Sequence, residues 1–486
     1  MDGFKIPFPI IRNTSFTTFF IGVLSLLLYI SIYFTQRALF FCNTEMLEWA
    51  CFYYLLYFIQ HLVLFYFYGW ILHLAKTTAN FESSSFKWLL IFPVLFQIVL
   101  LFGLPTLSID LFSYAAQGQL SILPHTSVYQ TPLWSFPNGE FKDQLLKLGW
   151  IPINGLAPYG PLFIHIESLV ARLTSDVYES ILIFKLIIIA ANFLAIGLIW
   201  QILKKINPTR RWLGLLIYLW NPLVIIEVAS EGHNDPIMLS FLLLSLLGTF
   251  EHQRAKAWFG ALLAFLSKYI SVIFIPAQAI FFWRTEKNRK SLLCQILIFT
   301  MISLGFIYFL YAPFWVGTKS FKGLLSSLDI SYDVSISGLM YSMLTHFLNA
   351  AIVSTLISWT LRSIFIFFVF KFCIKIKTES DLVAASVKTA LLFTLFLAPN
   401  FWAWYAIVPI ALISISAQTD FMWAAFLLSF CARITAASDI LVLHGILDLK
   451  TQRLYSTLFG VILPLLFFIW IGVRANRPTY SHEYTN

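Results

Sequence analysis

Apolar runs of about 20 residues recur along the chain, the length that spans a bilayer as a helix. Segments 16–34, 49–74 and 88–106 come first and contain no Asp, Glu, Lys or Arg. The next long run, 177–203, closes on Lys204, Lys205, Arg210 and Arg211. Further runs cover 212–228, 236–250, 291–313, 350–370, 387–398, 402–415, 421–440 and 455–471. The stretch 257–283 has basic residues at both ends, so it reads as a hairpin of two short helices turning near Ser267–Lys268. The pattern predicts an all-α polytopic membrane protein, a bundle of roughly 12–14 transmembrane helices in a single membrane domain over 1–486.

One long polar interruption breaks the series. Residues 107–158 hold Pro124, Pro132, Pro137, Pro152 and Pro158, too many for a continuous helix. The segment 159–174 after it is apolar but short, and carries His165, Glu167 and Arg172. Basic clusters belong on the cytoplasmic side. That rule puts both termini inside and the whole of 107–176 outside, as a large loop carrying short membrane-surface helices. Segments 229–235 and 314–337 are expected as further outer loops. The expected location is the plasma (inner) membrane, with the working face on the outer side.

Composition agrees: 59% of the 486 residues are hydrophobic and 11% are charged, against about 25% charged in a soluble domain. The net charge of +9 in a soluble protein would point to nucleic acid. Here it follows from loop asymmetry, and no nucleic-acid partner is expected. Five scattered cysteines show no metal-ligand spacing and no disulfide framework. Lys185, Lys268, Arg362 and Arg433 lie inside apolar segments. Lys185 is near a span end and can snorkel. The others should face an anion, either a phosphate or an internal carboxylate.

The outer segments hold the candidate chemistry. In a helix from residue 108, Asp110, Tyr114 and Gln117 share a face. Asp110 there suits a general base for a hydroxyl, a cation ligand, or a simple helix cap. A dense polar knot, Glu227 to Pro236, includes Glu231, His233, Asn234 and Asp235. Ionisable groups so clustered at membrane depth suggest function, while Asp235 before Pro236 also reads as a cap. Pro158-Tyr159-Gly160-Pro161 fixes a turn that presents an aromatic. Trp404 and Tyr405 follow Pro399, and serve either as interfacial anchors or as faces for stacking on sugar.

In this order the motifs resemble the GT-C integral-membrane glycosyltransferases. They run Asp110-Leu-Phe-Ser-Tyr-Ala-Ala-Gln-Gly, Pro158-Tyr-Gly-Pro-Leu, Asn221-Pro222, Glu231-Gly-His-Asn-Asp235, a lysine in a hairpin, and Trp404-Tyr405. The closest likeness is to bacterial polyprenyl-phosphate-mannose-dependent α-mannosyltransferases, and it spans 110–405. It implies inverting transfer of a hexose, mannose first, from a polyprenyl-phosphate donor to a lipid or oligosaccharide acceptor among membrane lipids. It implies Asp110 as catalytic base. Tyr114, Gln117, Tyr159, Glu231, His233, Asn234, Asp235, Trp404 and Tyr405 would bind acceptor or sugar. Lys268, Arg433 and Arg362 would hold the donor phosphate. A cation-paired lipid phosphate leaves readily, so no cofactor is required. Asp110 has no neighbouring acid, so no metal ligand is assigned, and a divalent cation stays open. The competing readings are a lipid-linked glycan transporter or flippase, and a polymerase or ligase using a diphosphate-linked donor.

Overall fold

The computed structural model describes residues 13–41, 47–78, 81–152, 155–327, 333–416, 420–443 and 445–475. The expectations for the two termini and for 328–332 of the 314–337 loop lie outside these residues. Among the described residues the regular structure is helical throughout. Helices α1 (Thr14–Phe41), α2 (Leu47–Thr77) and α3 (Phe81–Leu101) follow the first three apolar runs and pack together. The proline-rich stretch folds into α4 (Asp110–Ile122) and α5 (Glu140–Lys147), and α6 (Pro161–Leu173) lies along α4. Next come α7 (Val177–Ile206), α8 (Arg211–Leu219), α9 (Pro222–Ala229), α10 (Asp235–Phe250), α11 (Arg254–Ser267), α12 (Ile275–Thr285) and α13 (Arg289–Tyr311). The remainder is α14 (Lys322–Ser327), α15 (Ile336–Leu344), α16 (Ala350–Cys373), α17 (Glu379–Leu392), α18 (Ile407–Ser414), α19 (Asp420–Ala437), α20 (Asp439–Leu443), α21 (Leu449–Ser456) and α22 (Leu463–Ala475).

Seven helices among the described residues are long and apolar enough to cross a membrane, and the bent pair Pro208–Leu219 with Pro222–Ala229 makes an eighth. Five shorter apolar helices, among them Asp235–Phe250 and Phe421–Ala436, accompany them. The chain is a multi-pass membrane protein. Its outermost helices show large apolar side chains on the surface, such as Leu297 and Met301 on α13 and Trp359 and Phe367 on α16. In water such a surface would aggregate; in lipid it is the natural face.

Four local expectations change. The run 212–228 is not one straight span, because the chain bends by 49° between α8 and α9. Pro222 cannot donate a helical hydrogen bond. The Asn221 side chain instead accepts from Leu223 N at 3.0 Å and starts a new helix. The hairpin expected at Lys268 is replaced by a break: α11 stops at Ser267, and α12 packs against α16 and α17 instead of back along α11. Lys185 does not snorkel. It is wholly buried and donates to the Leu100 and Gly103 carbonyls at and just beyond the end of α3. Residues 229–235, expected as an outer loop, form a turn buried at every position.

Candidate active site

The buried turn between α9 and α10 is the floor of the site, and its burial is made tolerable by donors arriving from other helices. Glu231, fully buried, accepts from the backbone N–H of Thr106 and of Leu107 at 3.0 Å each, and from Gln36 Nε2 at 3.3 Å. Ser230 donates to Gln36 Oε1 at 2.9 Å. These bonds clamp the segment leading into α4 onto the turn. Gly232 sits at φ +73, where an L side chain is strained, and an added Cβ would meet Leu111 at 2.9 Å. Glycine is therefore what lets His233 follow Glu231 so closely under α4.

Asp110 opens α4 but caps nothing. The N-cap position is Ile109, without a side-chain cap, and Asp110 N donates to Ser108 Oγ at 3.1 Å. The cap alternative therefore falls, and the carboxylate is left with 21% of its side chain exposed. Asp110 Oδ2 lies 3.6 Å from His233 Nδ1, and on the far side of the ring His233 Nε2 lies 3.3 Å from Glu227 Oε2. Neither ring nitrogen completes a hydrogen bond, although the side chain is 1% exposed. Trp404 stacks on the imidazole at 3.7 Å between centroids and 18° between planes, and Trp402 stacks on Trp404 at 5.1 Å.

A second cluster adjoins the first. Asp235 is the first residue of α10, and its carboxylate serves Lys268. Lys268 Nζ lies 2.9 Å from both Asp235 oxygens and 3.3 Å from Asn234 Oδ1. The same ammonium is 6.0 Å from the Tyr159 ring and 5.9 Å from the Tyr405 ring, within cation–π range. Gly160 makes this possible: its N–H donates to Ser267 O at 3.2 Å, and a Cβ there would sit 2.0 Å from Leu266 O. The Pro-Tyr-Gly-Pro turn is thus pinned to the break after α11, which holds Tyr159 beside Lys268. Tyr159 and Tyr114 approach hydroxyl to hydroxyl at 3.5 Å. Burial pushes both phenols up, with nearby Asp110 adding to it, so both stay protonated donors.

Some expected site residues are placed elsewhere. Arg433 does not reach the pocket. It is fully buried, donates to Glu227 Oε1 at 2.5 Å and to Tyr57 Oη, and has its charge neutralised inside the bundle. Glu231 is likewise occupied by protein donors and holds the backbone. Arg362 lies on the exposed side of α16, a helix that packs on α12, α15 and α17 and not on α4 or α10. Gln117 is buried, and its Oε1 has no hydrogen-bond partner. Sequence reasoning assigned no role to Glu227, although it stood inside the polar knot. Tyr57, on α2, carried no signal at all, being 376 residues from its partner.

A helical membrane bundle that gathers a part-open carboxylate, an imidazole, a lysine and stacked aromatics in one pocket has the build of a membrane glycosyltransferase. The chain belongs to the MptA_B family, whose model, alpha-(1->6)-mannopyranosyltransferase, N-terminal domain, matches residues 34–284. It is a mannosyltransferase. No curated protein and no solved structure matches the chain. The matched segment includes Asp110, Tyr159, Glu227, His233, Asp235 and Lys268, whereas Trp404 and Arg433 lie beyond it. The His233–Trp404 stack and the Glu227–Arg433 pair therefore join the matched part to the remainder.

Proposed function

We propose that the protein transfers mannose from a polyprenyl-phosphate donor to a hydroxyl of a lipid or oligosaccharide acceptor, on the outer face of the bacterial plasma membrane, by a GT-C-type inverting reaction. The observation that carries this reading is Asp110, a part-exposed carboxylate that caps no helix, pairs with no lysine or arginine among the described residues, and lies beside His233 and near the protonated Tyr114 and Tyr159. The acceptor oxygen attacks the anomeric carbon as its proton passes to Asp110. The bond from that carbon to the phosphate oxygen breaks, and the electron pair leaves on the lipid phosphate. Inversion yields an α-linked product from a β-linked donor. Lys268 is the cation placed to meet the leaving phosphate, whose oxygen would replace the 3.3 Å contact to Asn234. Tyr114 and Tyr159 donate to sugar or phosphate oxygens. Tyr405 offers a face for the sugar ring, while Trp404 has its faces taken by His233 and Trp402. No step is routed through a metal.

Purified enzyme given polyprenyl-phosphate [14C]mannose and an alkyl α-1,6-dimannoside tests the reading. Asp110→Asn should lower turnover by about 10³-fold or more, with protein yield and donor binding retained. Turnover near the wild-type rate in that variant overturns the assignment.

A further inference from the structure

The centre of the molecule holds a chain of groups that a single base does not need. From the pocket inward it runs Asp110, His233, Glu227, Arg433 and Tyr57, drawn from α4, the buried turn, α9, α19 and α2. Among the charged groups at this centre, Glu227 has Arg433, Asp235 has Lys268, and Glu231 has two backbone N–H groups with Lys185 nearby. Asp110 alone lacks a permanent cation, and the group beside it is the imidazole. Trp404 covers one face of the ring, and the two carboxylates lie at its edges.

We propose that His233 is the proton relay behind Asp110, poised by Glu227. This rests on the reading of Asp110 as the base. Glu227, held by Arg433, lies 3.3 Å from Nε2, which favours the tautomer with its proton on Nε2 and leaves the Nδ1 lone pair toward Asp110. As the acceptor O–H bond breaks, its proton goes to Asp110 and on to Nδ1. The carboxylate is regenerated, and an imidazolium forms between two carboxylates, with bulk water as the final destination of the proton. The relay requires the 3.6 Å gap from Nδ1 to Asp110 to close during the reaction. His233 acts through Asp110, so it is a positioning residue.

The facing groups set the direction of the pH dependence. Asp110 and Glu227 lie on the two edges of the ring. Arg433 stands behind Glu227, Glu231 lies on the same turn, and the Asp235–Lys268 pair is neutral overall. A relay must start neutral, so activity falls on the acid side as the ring protonates.

The test is the pH profile of kcat/KM, with polyprenyl-phosphate [14C]mannose and the alkyl α-1,6-dimannoside as probes. Wild-type enzyme should show an acid limb. His233→Gln, which leaves the Glu227–Arg433 pair intact, should lose that limb. It should also lose about 10²-fold in kcat, with KM for both probes nearly unchanged. A wild-type profile with no acid limb overturns the relay, and needs no variant to fold. So does a His233→Gln enzyme that keeps the limb and the kcat. An active Asp110→Asn enzyme sinks the reading of the base itself, a different outcome.

Discussion

Two buried polar regions, a few turns apart, are built on opposite terms. Around His233, each carboxylate except the part-exposed Asp110 faces donors or cations brought from distant parts of the chain: Glu227 has Arg433, Asp235 has Lys268, and Glu231 has Thr106 and Leu107. Between α4 and α6, Glu167 is wholly buried, and neither carboxyl oxygen has a partner. Gln117 Oε1 is buried and unpartnered in the facing helix, while Ser121 and Ser168 pair with each other at 2.6 Å. Burial pushes the Glu167 carboxyl well above the usual carboxylate range, so it stays neutral. Charge survives inside this protein only where partners converge. Asp439 is the intermediate case: one amide donor, Gln452 at 2.5 Å, opposes burial and the nearby Asp333, and the acid is pushed up only to about 7.

The sharpest way to break the comparison is to make the first region resemble the second. Arg433→Met leaves Glu227 buried without its cation, a loss of about 3–5 kcal/mol for a broken buried pair. The expected result is little folded protein in detergent, read by size-exclusion chromatography and thermal melting. Adding Glu227→Leu to that variant should restore most of the melting temperature, because an apolar pair replaces the ionic one, while the mannosyl transfer stays lost.

Lys268→Met acts on the adjoining pair but nearer the opening. A drop of about 10–100-fold in kcat/KM for the polyprenyl-phosphate donor is expected, in line with about 1.5–3 kcal/mol for a charged hydrogen bond. The effect should appear in the donor's kinetic constants more than in the acceptor's. An unchanged donor kcat/KM would remove Lys268 from the phosphate.

Glu167→Gln should raise stability by about 1 kcal/mol at neutral pH, because it removes an acid that must stay protonated. The folded carboxyl titrates above the unfolded one, so wild-type stability is full below the ordinary carboxylate range and falls as pH rises through it. Melting curves between pH 4 and 8 should slope downward for wild type and lie flatter for the variant. The smallest effect is Asp439→Asn. It should flatten only the part of that decline between the ordinary aspartate range and about pH 7, with the same sign.

Much of the fold was legible because membrane helices announce themselves locally: a run of apolar residues is a span wherever it lies. The Glu231-Gly-His-Asn-Asp235 cluster was legible for a related reason, since so many ionisable groups in one short turn need explaining at membrane depth. Their individual roles were not legible. Arg433 read as a phosphate ligand because a lone arginine in an apolar helix must find an anion, and sequence says only that the anion exists. The structure supplies it as Glu227, on a helix that happens to pack beside α19. Glu231 read as a sugar ligand for the same reason, and its partners turn out to be backbone N–H groups.

The sequence by itself determined the helical membrane class, the approximate spans and the segments rich in chemistry, because each of these is a property of contiguous residues. Only the tertiary structure decided which charges cancel one another, which acid lies bare to the pocket, and where the imidazole sits between two carboxylates. Those outcomes depend on side chains meeting across helices hundreds of residues apart, and a buried charge takes its character from what it meets.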